Sequence, residues 1–219
     1  MKTIFISRNV NAEGILGRFC AAQDIELIAI SLIDFELVSA TDFPRTDVIF
    51  FTSPRSVEFY LRQAQIDSYH QLATVGKRTS QELEARGYHV DFTGSTPTHP
   101  ELVAVDFKGW LGERKVLFPQ SDRSNQTMQQ QLNFNQYVNR VVYKTVLVSQ
   151  SISPQPDVLI FSSPSNAEAY LIANTITSSQ KVLAFGSTTS AFLKTKGITS
   201  QLVEGTEEDQ IVVCLAKYV

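Results

Sequence analysis

Chemistry in this 219-residue chain has to come from hydroxyls, a few cations and backbone N–H groups. It contains no G-x-G-x-x-G, no phosphate loop, no G-x-S-x-G elbow and no H-E-x-x-H. His70, His89 and His99 have no ligand spacing and read as solvated residues rather than a metal site. No metal and no cofactor is expected. Four short runs remain: Thr52-Ser53-Pro54-Arg55, Gly76-Lys77-Arg78-Thr79, Ser162-Ser163-Pro164-Ser165 and Gly186-Ser187-Thr188-Thr189. Each follows a strand-like apolar run and opens a helix-like stretch. Helix N-termini at the carboxyl ends of parallel strands offer free N–H groups and a positive dipole end, which suits an anion. A single Ser or Thr at such a turn is ordinarily a helix cap. Four turns, paired by a repeat, point to an anion-lined cleft between two domains.

The repeat is plain. Asp47-Val48-Ile49-Phe50-Phe51-Thr52-Ser53-Pro54 returns as Asp157-Val158-Leu159-Ile160-Phe161-Ser162-Ser163-Pro164, an offset of 110 residues. Gly76, Thr79, Ser80, Leu83 and Gly87 return at the same offset as Gly186, Thr189, Ser190, Leu193 and Gly197. So long a period implies two related domains rather than a solenoid. Each copy reads β-α-β-α-β. Unalternating runs such as Val48–Phe51 mark strands buried on both faces of a parallel sheet. Ser53-Pro54 opens a helix, Leu72–Val75 is a strand, and Thr79-x-x-Glu82 has the form of a capping box starting the next helix. Gly87 closes that helix, and Tyr88–Phe92 follows as a strand. The second copy runs through Leu159–Phe161, Pro164–Ala173, Lys181–Phe185, Thr188–Lys196 and Thr199–Val203, with Phe192 in place of the capping Glu.

Two further β-α-β pieces can complete one five-stranded sheet each. One is Lys2–Ile6, a helix over Ala12–Ala22, and Ile25–Ile30. The other is Lys115–Phe118, a helix over Ser124–Leu132, and Tyr137–Val148. Alternating strands and helices predict doubly wound parallel α/β sheets. Leu27–Val38 and Tyr137–Val148 exceed ordinary strand length and are expected to cross between the domains as a two-stranded connection. Tyr143 lies on the second of these, beside a domain junction.

Composition supports a folded core, with 43% hydrophobic and 19% charged residues. A net charge of −3, from 19 Lys+Arg against 22 Asp+Glu, argues against a nucleic-acid or anionic-membrane partner. Cys20 and Cys214 form no C-x-x-C pair and read as buried thiols of a reducing compartment. The start of the chain turns polar by Ser7-Arg8-Asn9, too soon for a signal-peptide core, and no apolar run matches a membrane helix. A soluble, cytoplasmic monomer is the expectation.

These residues resemble the uroporphyrinogen-III synthase family. The resemblance is carried in order by Phe51-Thr52-Ser53-Pro54-Arg55-Ser56-Val57, Val75-Gly76-x-x-Thr79, Leu117-Phe118-Pro119, Val142-Tyr143-Lys144-Thr145, Phe161-Ser162-Ser163-Pro164-Ser165 and Phe185-Gly186-Ser187-Thr188-Thr189 with Gly197. It implies two flavodoxin-like or Rossmann-like domains joined by a two-stranded β-ladder. One would comprise residues 1–35 plus 149–219 and the other 39–145, with 27–38 and 137–148 as connecting strands. The first β-α-β piece would join the C-terminal copy of the repeat. The resemblance further implies a cofactor-free hydro-lyase acting on hydroxymethylbilane, a linear tetrapyrrole with eight carboxylates. Loss of the hydroxyl gives an azafulvene cation, and ring D is inverted through a spiro intermediate as the macrocycle closes.

By position, Tyr143 matches the family's proton donor to the departing hydroxyl. Thr79 and Thr189 match its cleft threonines, and Ser53 and Ser163 its cleft serines. Thr52, Arg55, Gly76, Lys77, Ser165, Gly186 and Thr188 complete the expected substrate-binding set, with Arg8, Arg78, Arg123 and Lys144 as further candidate cations. The sequence departs from the family at Gln120-Ser121-Asp122, where a glycine is frequent, and at Gly186-Ser187, where a proline is common. The rival reading is a non-enzymatic, two-domain module binding or sensing a small anion.

Overall fold

The structure, a computed structural model, describes residues 1–40, 42–96, 99–203 and 208–218. Residues 41, 97, 98, 204–207 and 219, which fall inside the domain ranges expected above, lie outside the described residues. In chain order the elements are β1 (Lys2–Ile6), α1 (Ile15–Ala22), β2 (Ile25–Ala29), β3 (Ile33–Leu37), β4 (Val48–Phe51), α2 (Pro54–Leu61), β5 (Gln71–Thr74), α3 (Lys77–Glu84), β6 (Phe92–Thr93), α4 (Pro100–Leu111), β7 (Val116–Ser121), β8 (Tyr137–Leu147), β9 (Val158–Phe161), α5 (Pro164–Ala173), β10 (Lys181–Phe185), α6 (Gly186–Thr195), β11 (Gln201–Val203) and α7 (Glu208–Leu215). They form two compact units, residues 1–34 with 146–219, and 35–145.

The first unit holds a five-stranded sheet ordered β11-β10-β9-β1-β2, parallel throughout. The amino-terminal β1 therefore pairs with the second copy of the repeat. The other sheet is ordered β3-β8-β7-β4-β5-β6, parallel from β8 to β6. At its edge, Val38 N–H donates to Val142 O at 3.1 Å, and Val148 N–H donates to Leu32 O at 2.9 Å. That register makes β3 antiparallel to β8.

The repeat is a repeat of interactions. Asp47 and Asp157 each precede a fully buried strand, and their Oδ2 atoms accept from Lys115 N and Thr3 N, both at 2.8 Å. Lys115 leads into β7 and Thr3 lies in β1, so the two strands play the same part in their two sheets. Phe51 on β4 meets Tyr60 of α2 edge-on at 5.6 Å, and Phe161 on β9 meets Tyr170 of α5 edge-on at 5.4 Å. Such pairs contribute about 0.5–1.5 kcal/mol beyond area burial. Burial pushes both phenols up, that of Tyr60 to about 12. Ser80 and Ser190 each tie a helix to the chain that follows it, through Thr93 in β6 at 2.7 Å and Ser200, just before β11, at 3.0 Å. Gly87 and Gly197 sit at φ +85° and +73°, a left-handed turn past a helix end that glycine takes without strain.

Several expectations are corrected. The run Leu27–Val38 is two strands, because the chain breaks at Leu32. That side chain is fully buried in the first unit, and its N–H donates to Asn166 Oδ1 at 2.8 Å. Thr79-x-x-Glu82 is not a capping box: α3 starts at Lys77 behind Gly76, and Glu82 instead pairs with Arg86 at 2.7 Å. Only a 3₁₀ turn at Gln129–Gln131 forms inside the helix expected over 124–132. There the Ser121 and Ser124 hydroxyls accept from Arg123 N and Gln126 N, competing with helical bonding. Of Tyr88–Phe92 only Phe92, with Thr93, is strand, since Asp91 clasps the Leu72 backbone through its own main chain and Oδ2, both at 2.8 Å. The 110-residue comparison passes over α4 and α7. These helices bury Val103, Ala104, Phe107 and Leu111, and Ile211, Cys214 and Leu215, at helical spacing. Cys20 and Cys214 are free thiols in one apolar cluster.

His70 is not the solvated histidine expected. Its Nδ1 is covered and has no partner, and Tyr69 lies over its ring at 4.2 Å. Burial pushes the imidazole below its ordinary value, aided by Arg45 and opposed by Asp67 and Asp47. The unfolded chain, near 6.5, then binds the proton more readily than the folded one. The stability tied to His70 is complete above about pH 6.5 and drains away as pH falls toward the depressed folded value. Urea midpoints should fall between pH 7.5 and 5.5, and by less in His70→Asn. Equal falls in both proteins would assign the loss to other groups.

Candidate active site

Tyr143 is placed by an irregularity in β8. Where β7 pairs with β8, Gln120 faces Val141 but Ser121 faces Tyr143, so one residue of β8 is bulged out. A bulge shifts the side-chain alternation, and Val142 and Tyr143 accordingly share one cluster with Phe59. The Tyr143 ring, 8% exposed, stacks on Phe59 at 5.2 Å and meets Phe35 edge-on at 5.7 Å. Guanidinium groups cover the outer rings, Arg62 over Phe59 at 4.6 Å and Arg55 over Phe35 at 3.8 Å. Glu58 pairs with both arginines. A ring held on two sides by packing has few rotamers open to it, which is what a group with a fixed task needs.

Its Oη lies 3.5 Å from Ser53 Oγ. Both residues line a cavity of about 370 Å³ at the carboxyl ends of β4, β5 and β7, with Thr52, Val75, Ser121 and Arg123 in its wall. Pro100 and the segment 124–129 complete that wall. Thr52, Ser53 and Tyr143 are thus brought together. Arg55 stands on the outer face of the aromatic array, and Gly76 directly follows the lining residue Val75.

The four helix N-termini singled out by sequence differ in a way that bears on anion binding. In α2 the Ser53 hydroxyl accepts from Ser56 N at 3.1 Å, and in α5 the Ser163 hydroxyl accepts from Asn166 N at 3.2 Å. Those two ends are capped from within. The others, α3 behind Gly76 and α6 opening at Gly186 with φ +73°, have no side-chain cap. Their leading N–H groups are the kind an anion completes. Lys77 and Thr188 are exposed on these first turns, whereas Thr79 and Thr189 are each 2% exposed. Ser163, Ser165, Gly186, Thr188 and Thr189 lie at the carboxyl ends of adjacent β9 and β10 in the first unit. There Ser162 and Ser7 bridge neighbouring strand ends, and Arg8 lies over Phe185 at 5.1 Å.

Lys144 is committed elsewhere. Its Nζ is 2.8 Å from Glu36, whose hydrogen bond and charge raise the lysine above its ordinary value. Among the described residues no cluster of His, Cys, Asp and Glu could hold a metal ion. Sequence reasoning missed Phe35 and Phe59, which looked like ordinary apolar positions, and the amide cluster of Gln120, Gln126, Gln129 and Asn139. The glutamine-rich run 126–131 was the available signal for that cluster.

A family model described as uroporphyrinogen-III synthase HemD matches residues 19–210. No curated protein matches the chain. Two solved structures are similar in fold. Uroporphyrinogen-III synthetase from Helicobacter pylori aligns at TM-score 0.70 and 17% identity, over 99% of this chain and 100% of that one. A mutant uroporphyrinogen III synthase from the extremely thermophilic bacterium Thermus thermophilus aligns at TM-score 0.64 and 12% identity, over 99% of this chain and 98% of that one.

The internal caps give a direct test. Ser53→Ala and Ser163→Ala should each cost about 1 kcal/mol and lower the melting temperature by about 2–4 °C. Calorimetry of the two variants beside wild type checks this. No loss in either would mean that the hydroxyls do not hold their helices.

Proposed function

The chain belongs to the uroporphyrinogen-III synthase family, and from that premise we infer how its own residues carry the reaction. The protein is a hydro-lyase of tetrapyrrole biosynthesis: it closes hydroxymethylbilane to uroporphyrinogen III with loss of water and inversion of ring D. In our reading the terminal pyrrole nitrogen pushes electrons toward the hydroxymethyl carbon and the C–O bond breaks. Tyr143 Oη donates its proton to the leaving oxygen, which departs as water. A phenol is protonated at neutral pH and suits that task. The azafulvene cation is then attacked by the substituted carbon of ring D, the spiro intermediate fragments and rejoins at the free α-carbon of that ring, and the proton this carbon loses as the pyrrole is restored balances the one Tyr143 gave.

The observation that carries the assignment is the position of Tyr143. Its ring is clamped by Phe59 and Phe35, and its hydroxyl stands beside Ser53 in a hydroxyl-lined cavity at a sheet's carboxyl edge. Against a protein of net charge −3, an octa-anion is bound by local groups rather than by a long-range field. We assign its carboxylates to the uncapped first turns at Gly76-Lys77 and Gly186-Ser187-Thr188, to Thr52 and the Ser53 and Ser163 turns, and to Ser165. Arg55 and Arg123 are the supporting cations. Thr79 and Thr189, buried one turn in, shape those first turns.

The architecture we propose is two α/β domains, 1–35 with 149–219 and 39–145, joined by a two-stranded β-ladder. The break at Leu32 and the length of β8 support it. A cytoplasmic location fits the free, buried thiols, and a monomer is the state we propose. A non-enzymatic anion-binding module would have the same helix ends but no use for a clamped phenol.

Tyr143→Phe keeps the ring and removes the donor. General-acid assistance is worth about 10²–10⁴-fold. Pyrrole push lowers the demand here, so turnover should fall by about 100-fold or less. Affinity and melting temperature should hold. Turnover is measured as type III over type I product. An unchanged rate would remove Tyr143 from the mechanism, and a large fall in melting temperature would assign it to packing. Dialysis against a chelator should leave the wild-type rate intact, and a loss restored by one metal would overturn the cofactor-free reading.

A further inference from the structure

Behind the cavity lies a buried side chain that the mechanism above does not use. Gln129 is 5% exposed and lines the same cavity as Tyr143 and Ser53. Its Nε2 donates to Gln120 Oε1 at 3.1 Å and to Asn139 Oδ1 at 2.8 Å, while Asn139 Nδ2 donates to Gln126 Oε1 at 3.1 Å. These bonds fix which way the amide points. Exchanging its oxygen and nitrogen would set Oε1 against two acceptor oxygens. The consequence is a buried acceptor, Gln129 Oε1, with no partner. Buried polar atoms are paired in the great majority of cases, so an orphan in the wall of a ligand cavity calls for a donor from outside the protein.

We propose that Gln129 Oε1 accepts the N–H of the bilane's terminal pyrrole, the ring whose hydroxyl leaves at Tyr143. The inference rests on placing the substrate in the cavity beside Tyr143. The chemistry selects the partner. A carboxylate offers only acceptors and is repelled by an amide oxygen, whereas each pyrrole carries one N–H donor. The atom is covered, so entry of the ring includes a small outward movement of the 122–128 segment, which contains neither helix nor strand. The bond does more than position the ring. As water leaves, positive charge develops on the pyrrole nitrogen and its N–H becomes a stronger donor. A hydrogen bond to a charged group is roughly twice as strong as a neutral one, so Gln129 favours the cation over the bound substrate.

The test pairs two variants. Gln129→Met keeps the volume and removes the acceptor. Asn139→Leu removes one of the two acceptors of Gln129 Nε2 but leaves Gln120 Oε1 to orient the amide, so Oε1 itself is kept. Gln129→Met should lower kcat about tenfold with KM changed less than about threefold, while Asn139→Leu stays within about twofold of wild type at comparable melting temperature. An unchanged kcat in Gln129→Met overturns the proposal, and so do equal losses in both variants, which would mark the network as wall structure. Should Gln129→Met fail to fold, the Gln129 side-chain amide signal of ¹⁵N-labelled wild type is followed during titration with anaerobic uroporphyrinogen III. A shift supports the contact, and none overturns it. Failure of the cavity assignment is separately visible as full activity in Tyr143→Phe.

Discussion

Strands covered on both faces leave a parallel sheet only its edges for chemistry, and that constraint organises this molecule. Val48–Phe51 and Val158–Phe161 are buried at every position. No side chain along them can meet a ligand. What remains is the point where each strand stops and the next helix begins. There backbone N–H groups, serines and glycines are unavoidable, because the chain must turn and the helix must start. On the reading proposed above, function takes over groups that the fold requires in any case, and a site can then exist without any of the usual catalytic signatures.

The two copies of the repeat use this edge in matched fashion. One turn in each copy is satisfied from within by its serine, and the other is left without a side-chain cap. The satisfied turn contributes stability through its cap, and the unsatisfied one keeps leading N–H groups of the kind that suit an anion. At a capped turn the N–H that binds the serine is taken, which leaves the hydroxyl and the remaining N–H groups for a ligand. The copies diverge where Tyr143, the proton donor of our proposal, appears. Tyr143 comes from β8, in a bulge that no feature of the repeat encodes.

Much of the fold was legible because it is written in local patterns. Unalternating apolar runs gave the central strands, Ser-Pro gave the starts of α2 and α5, and the shared offset gave the pairing of the copies. Interactions from distant parts of the chain hid the rest. The break at Leu32 depends on Asn166, 134 residues away. The helix expected over 124–132 has adequate periodicity but loses to hydroxyl-to-backbone bonds that only the folded turn reveals. For the candidate site, the placement of the hydroxyl and glycine turns at strand ends was readable from type and position. The clamp of Phe59 and Phe35 on Tyr143 was not, since aromatic residues on a helix and on an edge strand carry no mark of what they pack against. The amide network was hidden for the same reason: its four members come from a strand, a turn, a 3₁₀ segment and another strand.

The position of β1 between β9 and β2 has a consequence for how the chain is made. The amino-terminal strand is synthesised first, yet its neighbour β9 begins only at Val158. At about 5–20 residues per second, roughly ten seconds or more separate the two on the ribosome. During that interval Ile4, Phe5 and Ile6, each fully buried in the finished protein, lack their partner strand. Residues 35–145 can meanwhile close their own core, because every neighbour they need for strands β4 to β7 is already out. The order of synthesis therefore runs opposite to the order of closure. The first residues to emerge are among the last to be sheltered, a window in which a chaperone has most to offer this chain.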